Sequence, residues 1–183
     1  MWNFLRNIYI YIHVYLGNIV IGGILILASF FVKKPSFYNG LVRAWGKWAM
    51  LAMPGKAAVN GLENLDPEKP CVIIANHEST VDVFFLLGKL PVPMRMVAKE
   101  ELQKSFILGK AMERSGFIFV DNKVKGRSID HLNAQFEKLK KEKLFLMVFP
   151  EGSRFKDQLL APFRLGAFVM AIQNNMPIVP VVL

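Results

Sequence analysis

From Ile8 to Val32 the chain runs for 25 residues without a formal charge, with Arg6 before the stretch and Lys33-Lys34 after it. As a single helix it reaches about 37 Å, against roughly 30 Å for the hydrocarbon core of a bilayer. A secretory leader has a shorter apolar region and a small-residue cleavage site, so the stretch reads as an uncleaved membrane anchor. Gly17-Asn18 and Gly22-Gly23 interrupt it, as candidate points for a break or a re-entrant bend, and His13 is read as a tolerated polar residue near an interface. Cations flank both ends, so charge bias sets no orientation. A spanning helix and a shallow insertion both fit.

A second helical stretch, Ser36 to Met53, follows Pro35 and ends at Pro54-Gly55. Phe37, Leu41, Trp45, Trp48 and Ala52 form its apolar stripe, with Arg43 and Lys47 off that stripe, a pattern suited to a membrane interface, with a helix packed on its own domain as the alternative. Residues 1–55 therefore read as a two-helix membrane-binding segment. The net charge is +9, and six of the basic residues lie in the first 60 positions, where no acid occurs. Basic charge interleaved with apolar surface favours anionic lipid over nucleic acid. The lone Cys71 permits no internal disulfide and fits a reducing compartment.

Residues 56–183 change pattern. Short apolar runs at 71–75, 95–98, 117–120, 144–149 and 178–183 alternate with helical stretches at 79–89, 100–115, 127–143 and 163–174. The alternation predicts an α/β fold with a largely parallel central sheet flanked by helices. Polar groups then fall just past successive strands: His77 and Asp82, Lys99, Asp121-Asn122, and Glu151 to Arg154. In a parallel sheet these chain-distant groups converge at the carboxyl edge, where ligands bind.

His77 and Asp82 are separated by four residues, which on a continuous helix places them about 140° apart. They meet if His77 lies on the turn before the helix. Asp82 then fixes the imidazole tautomer while the other ring nitrogen takes a substrate proton. Ser79-Thr80-Val81-Asp82 also spells a helix capping box, which accounts for Asp82 without chemistry. In Phe149-Pro150-Glu151-Gly152-Ser153-Arg154, Gly152 permits close backbone approach and Arg154 offers a fork for phosphate. An ordinary strand-to-loop turn with a surface Arg explains the same hexapeptide. The chain has neither a nucleophile elbow nor a dinucleotide or P-loop glycine pattern, and its three histidines lack zinc spacing.

In combination these motifs resemble the 1-acylglycerol-3-phosphate acyltransferase family of glycerolipid acyltransferases. His77-x4-Asp82 is similar to its first block, Gly116 to Asp121 to its second, Phe149 to Arg154 to its third and Pro177 to Val181 to its fourth, in the same order over about residues 60–183. The resemblance implies acyl transfer from acyl-CoA or acyl-acyl carrier protein to the sn-2 hydroxyl of lysophosphatidic acid, with no further cofactor and no metal. Glycerol-3-phosphate or another lysophospholipid is the alternative acceptor, and a non-catalytic lipid-binding protein a remote one. It makes His77 the base and Asp82 its orienting partner, without an acyl-enzyme. Lys99, Glu151, Gly152, Ser153 and Arg154 would form the acceptor-phosphate site. It also implies a membrane location with the catalytic part on the cytoplasmic side. Three departures stand out. Asn122 follows Asp121 where the family has Arg, so either Arg127, or Lys123 and Lys125, would supply that charge, or these residues form a solvated basic turn. Phe106 stands where Pro is common, and Leu183 ends the sequence within an expected strand, as in a short or C-terminally truncated member.

Overall fold

The computed structural model describes residues 2–55, 57–120, 129–153 and 161–183. In chain order the elements are α1 Trp2–Ala28, α2 Pro35–Leu51, β1 Val72–Ala75, α3 Thr80–Lys89, β2 Met94–Lys99, α4 Glu100–Gln103, α5 Leu108–Arg114, β3 Ile118–Val120, α6 Ile129–Lys141, β4 Phe145–Val148, α7 Gly166–Gln173 and β5 Ile178–Val181. The five strands form one sheet in the order β3-β2-β4-β1-β5. Every described pairing is parallel, with Ile73 opposite Met147 and Val179. The α/β expectation therefore holds, while β4, fourth in the chain, lies beside β1.

Strands covered on both faces are apolar along their whole length, because neither set of alternating side chains meets water. Ile73, Ala75, Phe145 and Met147 pack toward Val42, Leu86 and Leu87, on the side of α2 and α3. Val72, Ile74, Leu146 and Val148 face Phe136 and Leu139 of α6 and Met170 and Ala171 of α7. Successive residues thus serve opposite cores.

Helix α1 is continuous through Gly17-Asn18 and Gly22-Gly23, so neither marks a break. Gly17 and Gly22 serve packing instead, while a Cβ on Gly23 would meet nothing within 4 Å. A Cβ on Gly17 would stand 2.5 Å from the Trp48 ring, and one on Gly22 would stand 2.9 Å from Ile107. His13 stacks on Trp48 with ring centroids 4.9 Å apart, and its Nε2 lies 2.8 Å from the Trp48 carbonyl. Trp45 Nε1 donates to Asn18. His13 and Asn18 are the fittings that hold α2 against the apolar stretch. Asn3–Ala28 is nevertheless long and apolar enough to cross a membrane, and Phe4, Tyr11, Ile12 and Leu27 on it are exposed.

The buried face of α2 is Tyr38, Val42, Gly46 and Ala49, one residue around from the predicted stripe, of which Phe37 is exposed. Gly46 explains the rotation. A Cβ there would fall 2.6 Å from the Gly88 nitrogen and 2.8 Å from the Phe84 carbonyl, so α2 and α3 meet backbone to backbone. The helix predicted over 100–115 is likewise two helices. The chain turns between them so tightly that the Gly109 backbone lies against the Gln103 carbonyl, where a Cβ would come within 2.2 Å.

Candidate active site

Because β1, β2 and β4 are parallel, the residues that leave their carboxyl ends emerge on one edge. After Ala75 the chain has no regular structure from Asn76 to Ser79, and α3 begins at Thr80. Ser79, with φ −140° and ψ 155°, is the N-cap, and Asp82 at the third helical position closes the capping box. His77 is on the turn and Asp82 in the first helical turn, the arrangement that brings a four-residue spacing into contact.

One oxygen of Asp82, Oδ2, lies 2.9 Å from His77 Nδ1. The same oxygen accepts the backbone N–H of Glu78 at 2.9 Å and of Ser79 at 2.8 Å. The helix-capping and ring-orienting readings are therefore both true of one carboxylate. The two side chains are 15% and 12% exposed, shielded enough to strengthen the contact yet open to a ligand. With Nδ1 committed to Asp82, Nε2 is the nitrogen left to exchange a proton with a bound molecule.

The neighbouring strand supplies the rest. Phe149, just past β4, stacks on the His77 ring at 3.9 Å between centroids and 17° between planes. Glu151 is buried, and its Oε1 accepts the backbone N–H of His77 at 2.9 Å. Its carboxylate thus holds the histidine turn, a placement distinct from the phosphate contact that the resemblance implied. Gly152 has φ +73°, in the left-handed region that favours glycine. The Arg164 side chain lies across it, with Nε 2.7 Å from where a Cβ would stand. The Arg164 N–H also donates to the Pro150 carbonyl at 2.8 Å.

Lys99 is exposed at the carboxyl end of β2, on this same edge, with β4 between its strand and β1. Ser153 is half-buried beyond Gly152. Asp121, Asn122, Lys123, Lys125, Arg127 and Arg154 lie outside the described residues. Three contributors escaped the sequence reading. Phe149 ends the 144–149 run and opens the Phe149–Arg154 block, Arg164 lies in the 163–174 helical stretch, and Asn76 precedes His77 in the first polar group, but nothing in the sequence assigned any of them a role of its own. Asn76 binds both main-chain groups of Leu183, accepting its N–H at 2.8 Å and donating to its carbonyl at 3.2 Å. Polarity at the end of an apolar strand was the available signal for Asn76. Among the described residues no three His, Cys, Asp or Glu side chains converge as a metal-ligand set.

A parallel α/β sheet with an oriented imidazole at its carboxyl edge defines a protein with a general-base site, and comparison with known proteins gives the family. The family profile described as Acyltransferase matches residues 56–183. This chain belongs to that acyltransferase family. It is 44% identical over 126 residues to the 1-acyl-sn-glycerol-3-phosphate acyltransferase of Saccharomyces cerevisiae, covering 68% of this chain and 41% of the relative. With the human alpha enzyme of the same name it shares 34% over 128 residues, covering 70% and 45%. The chain thus spans less than half the length of these relatives. The crystal structure of the 1-acyl-sn-glycerophosphate acyltransferase PlsC from Thermotoga maritima superposes with a TM-score of 0.77 at 25% identity, covering 97% of this chain and 72% of that one.

Proposed function

We propose that this protein transfers a fatty acyl group from an acyl thioester to the sn-2 hydroxyl of lysophosphatidic acid, forming phosphatidic acid at a membrane surface. The observation that carries the reading is the His77 ring, fixed by Asp82 on one side and stacked on Phe149, with its backbone held by Glu151. The relatives named for this reaction support the choice of acceptor.

In the proposed step Nε2 of His77 takes the hydroxyl proton as the oxygen attacks the thioester carbonyl carbon. Asp82 stabilises the resulting imidazolium, and the Phe149 ring face adds a cation–π contact. The oxyanion collapses, the C–S bond breaks, and the leaving thiolate takes the proton back from His77. No acyl-enzyme forms. Lys99 and Arg154, with Gly152 and Ser153 shaping the loop, neutralise the acceptor phosphate, a compact ammonium beside a planar fork. Glu151 acts as a positioning residue. The donor is acyl-CoA or acyl-acyl carrier protein, and the apolar N-terminal helix anchors the enzyme on the cytoplasmic face where its amphiphilic acceptor lies.

The test is acyl transfer by the full chain in mixed micelles, with lysophosphatidic acid, lysophosphatidylcholine and glycerol-3-phosphate each paired with both donors. Lysophosphatidic acid should be the preferred acceptor. His77→Ala should slow transfer about 10²–10⁴-fold, and Arg154→Ala should weaken use of phosphomonoester acceptors. Equal use of lysophosphatidylcholine, or unchanged transfer by His77→Ala, overturns the reading.

A further inference from the structure

At the opposite end of the sheet from His77, where β2, β3 and β4 begin, a cavity of about 290 Å³ opens between the α1–α2 turn, α5 and α6. Lys33, Arg95, Arg114 and Lys138 line it, together with one carboxylate, Glu142. Four cations around one acid is an uncompensated charge in a partly enclosed space. It is also remote from the acyl-transfer site, since β2 rises about 13 Å between Arg95 and Lys99.

Arg95 is the unusual member. It is 3% exposed, in a strand between two others. Its guanidinium carries five N–H donors, yet among the described residues it makes one hydrogen bond, from Nη1 to the Met94 carbonyl at 2.9 Å. Burial lowers its pKa to about 10, and Glu142, close enough to oppose that shift, forms no described ion pair with it. Gly116, at φ +82°, leaves room for the arginine side chain, whose Nε would lie 3.1 Å from a Cβ there. Among the described residues the sealed polar side-chain atoms without a partner are Asn39 Oδ1 and Arg43 Nε, so the remaining Arg95 donors are not sealed in protein and face the cavity.

The mouth indicates what meets these donors. Ser29, Val32 and Lys33 of the turn after α1 form part of the wall. Phe30 and Phe31 beside them are 68% and 87% exposed, and Arg114 lies 6.0 Å from the Phe30 ring centroid. Forked and point-charge donors inside, with apolar rings outside, match a phosphate group attached to something apolar. We propose that this cavity is a second anion site, binding a phosphate group through Arg95, Arg114, Lys138 and Lys33, with an anionic lipid headgroup as its source.

The experiment is thermal unfolding of the full chain in uncharged detergent, which needs no catalytic readout. Inorganic phosphate, short-chain phosphatidic acid and phosphatidylcholine of equal chain length are added separately. Phosphatidic acid should raise Tm by about 2–4 °C, inorganic phosphate by less, and phosphatidylcholine should leave it unchanged. Arg95→Met should abolish the rise, and the exposed pair Arg114→Gln with Lys138→Gln should remove most of it. The second variant decides the matter if Arg95→Met does not fold. Phosphatidic acid is also the proposed product, so Lys99→Ala, which removes a phosphate contact at the acyl-transfer edge, separates the two sites: it should keep the rise. An equal rise with inorganic phosphate assigns the site to free phosphate and overturns the lipid source. No rise in the unaltered protein, or a full rise in the Arg114 and Lys138 double variant, overturns the site itself.

Discussion

Oδ2 of Asp82 contacts Nδ1 of His77 at 2.9 Å while it also caps α3 through the N–H groups of Glu78 and Ser79. Ring orientation and helix initiation therefore depend on one negatively charged oxygen. Asp82→Asn keeps an acceptor of similar shape but removes the charge that stabilises an imidazolium. Its rate of thioester-dependent transfer should fall about 10²–10⁴-fold. Loss of an anion at the helix N-terminus should cost about 0.3–1 kcal/mol. Steady-state kinetics and thermal unfolding on the same preparation separate the two effects, and a rate within about threefold of the parent's counts against the base assignment.

Glu151 distinguishes a support from a ligand. If its carboxylate holds the His77 backbone, Glu151→Gln retains an acceptor and should keep most activity. Glu151→Ala leaves a part-buried N–H unpaired, at about 1–3 kcal/mol. That variant should lose kcat with little change in KM for the acceptor. A rise in KM confined to phosphate-bearing acceptors would return Glu151 to the phosphate site.

Gly46 tests the seating of the N-terminal hairpin. Gly46→Ala places a methyl group against the Gly88 and Phe84 backbone, atoms that cannot rotate away. Overpacking of this kind costs about 1–3 kcal/mol, and Tm should drop by several degrees. Gly40→Ala on the same helix meets nothing within 4 Å and should leave Tm unchanged or slightly raised.

Cys71 is 3% exposed at the start of the buried sheet, and burial raises its thiol to about 11. At pH 8 alkylation should be about 10²-fold slower in the folded protein than in denaturant. Above pH 9 the unfolded thiol ionises while the folded one keeps its proton, so this group makes the fold lose stability as pH rises toward 11. Back-titration with a thiol reagent and Tm against pH measure both.

Periodicity made the five strands and most helices legible, since burial on both faces leaves an unbroken apolar run such as Val72 to Ala75. His77 and Asp82 could be paired because their spacing has one geometry that works, a turn followed by a helix start. Strand order was not legible. Nothing local in Phe145 to Val148 says that this strand lies beside β1, and so neither the Phe149 stack nor the Glu151 support could be read in advance. Gly17 and Gly22 of α1 misled for a related reason. Their meaning lies in Trp48 and Ile107, which pack against them from other elements. Arg95 read as strand, because a lone arginine in Met94 to Lys99 gives no hint that its end reaches a cavity.

His77 and the Glu151 carboxylate that steadies it are 74 positions apart, and this separation dictates when the site can exist during synthesis. At usual elongation speeds a ribosome takes roughly 4–15 s to cover that distance. The nascent chain therefore carries its histidine for seconds before the support emerges, while the greasy first helix has already left the exit tunnel.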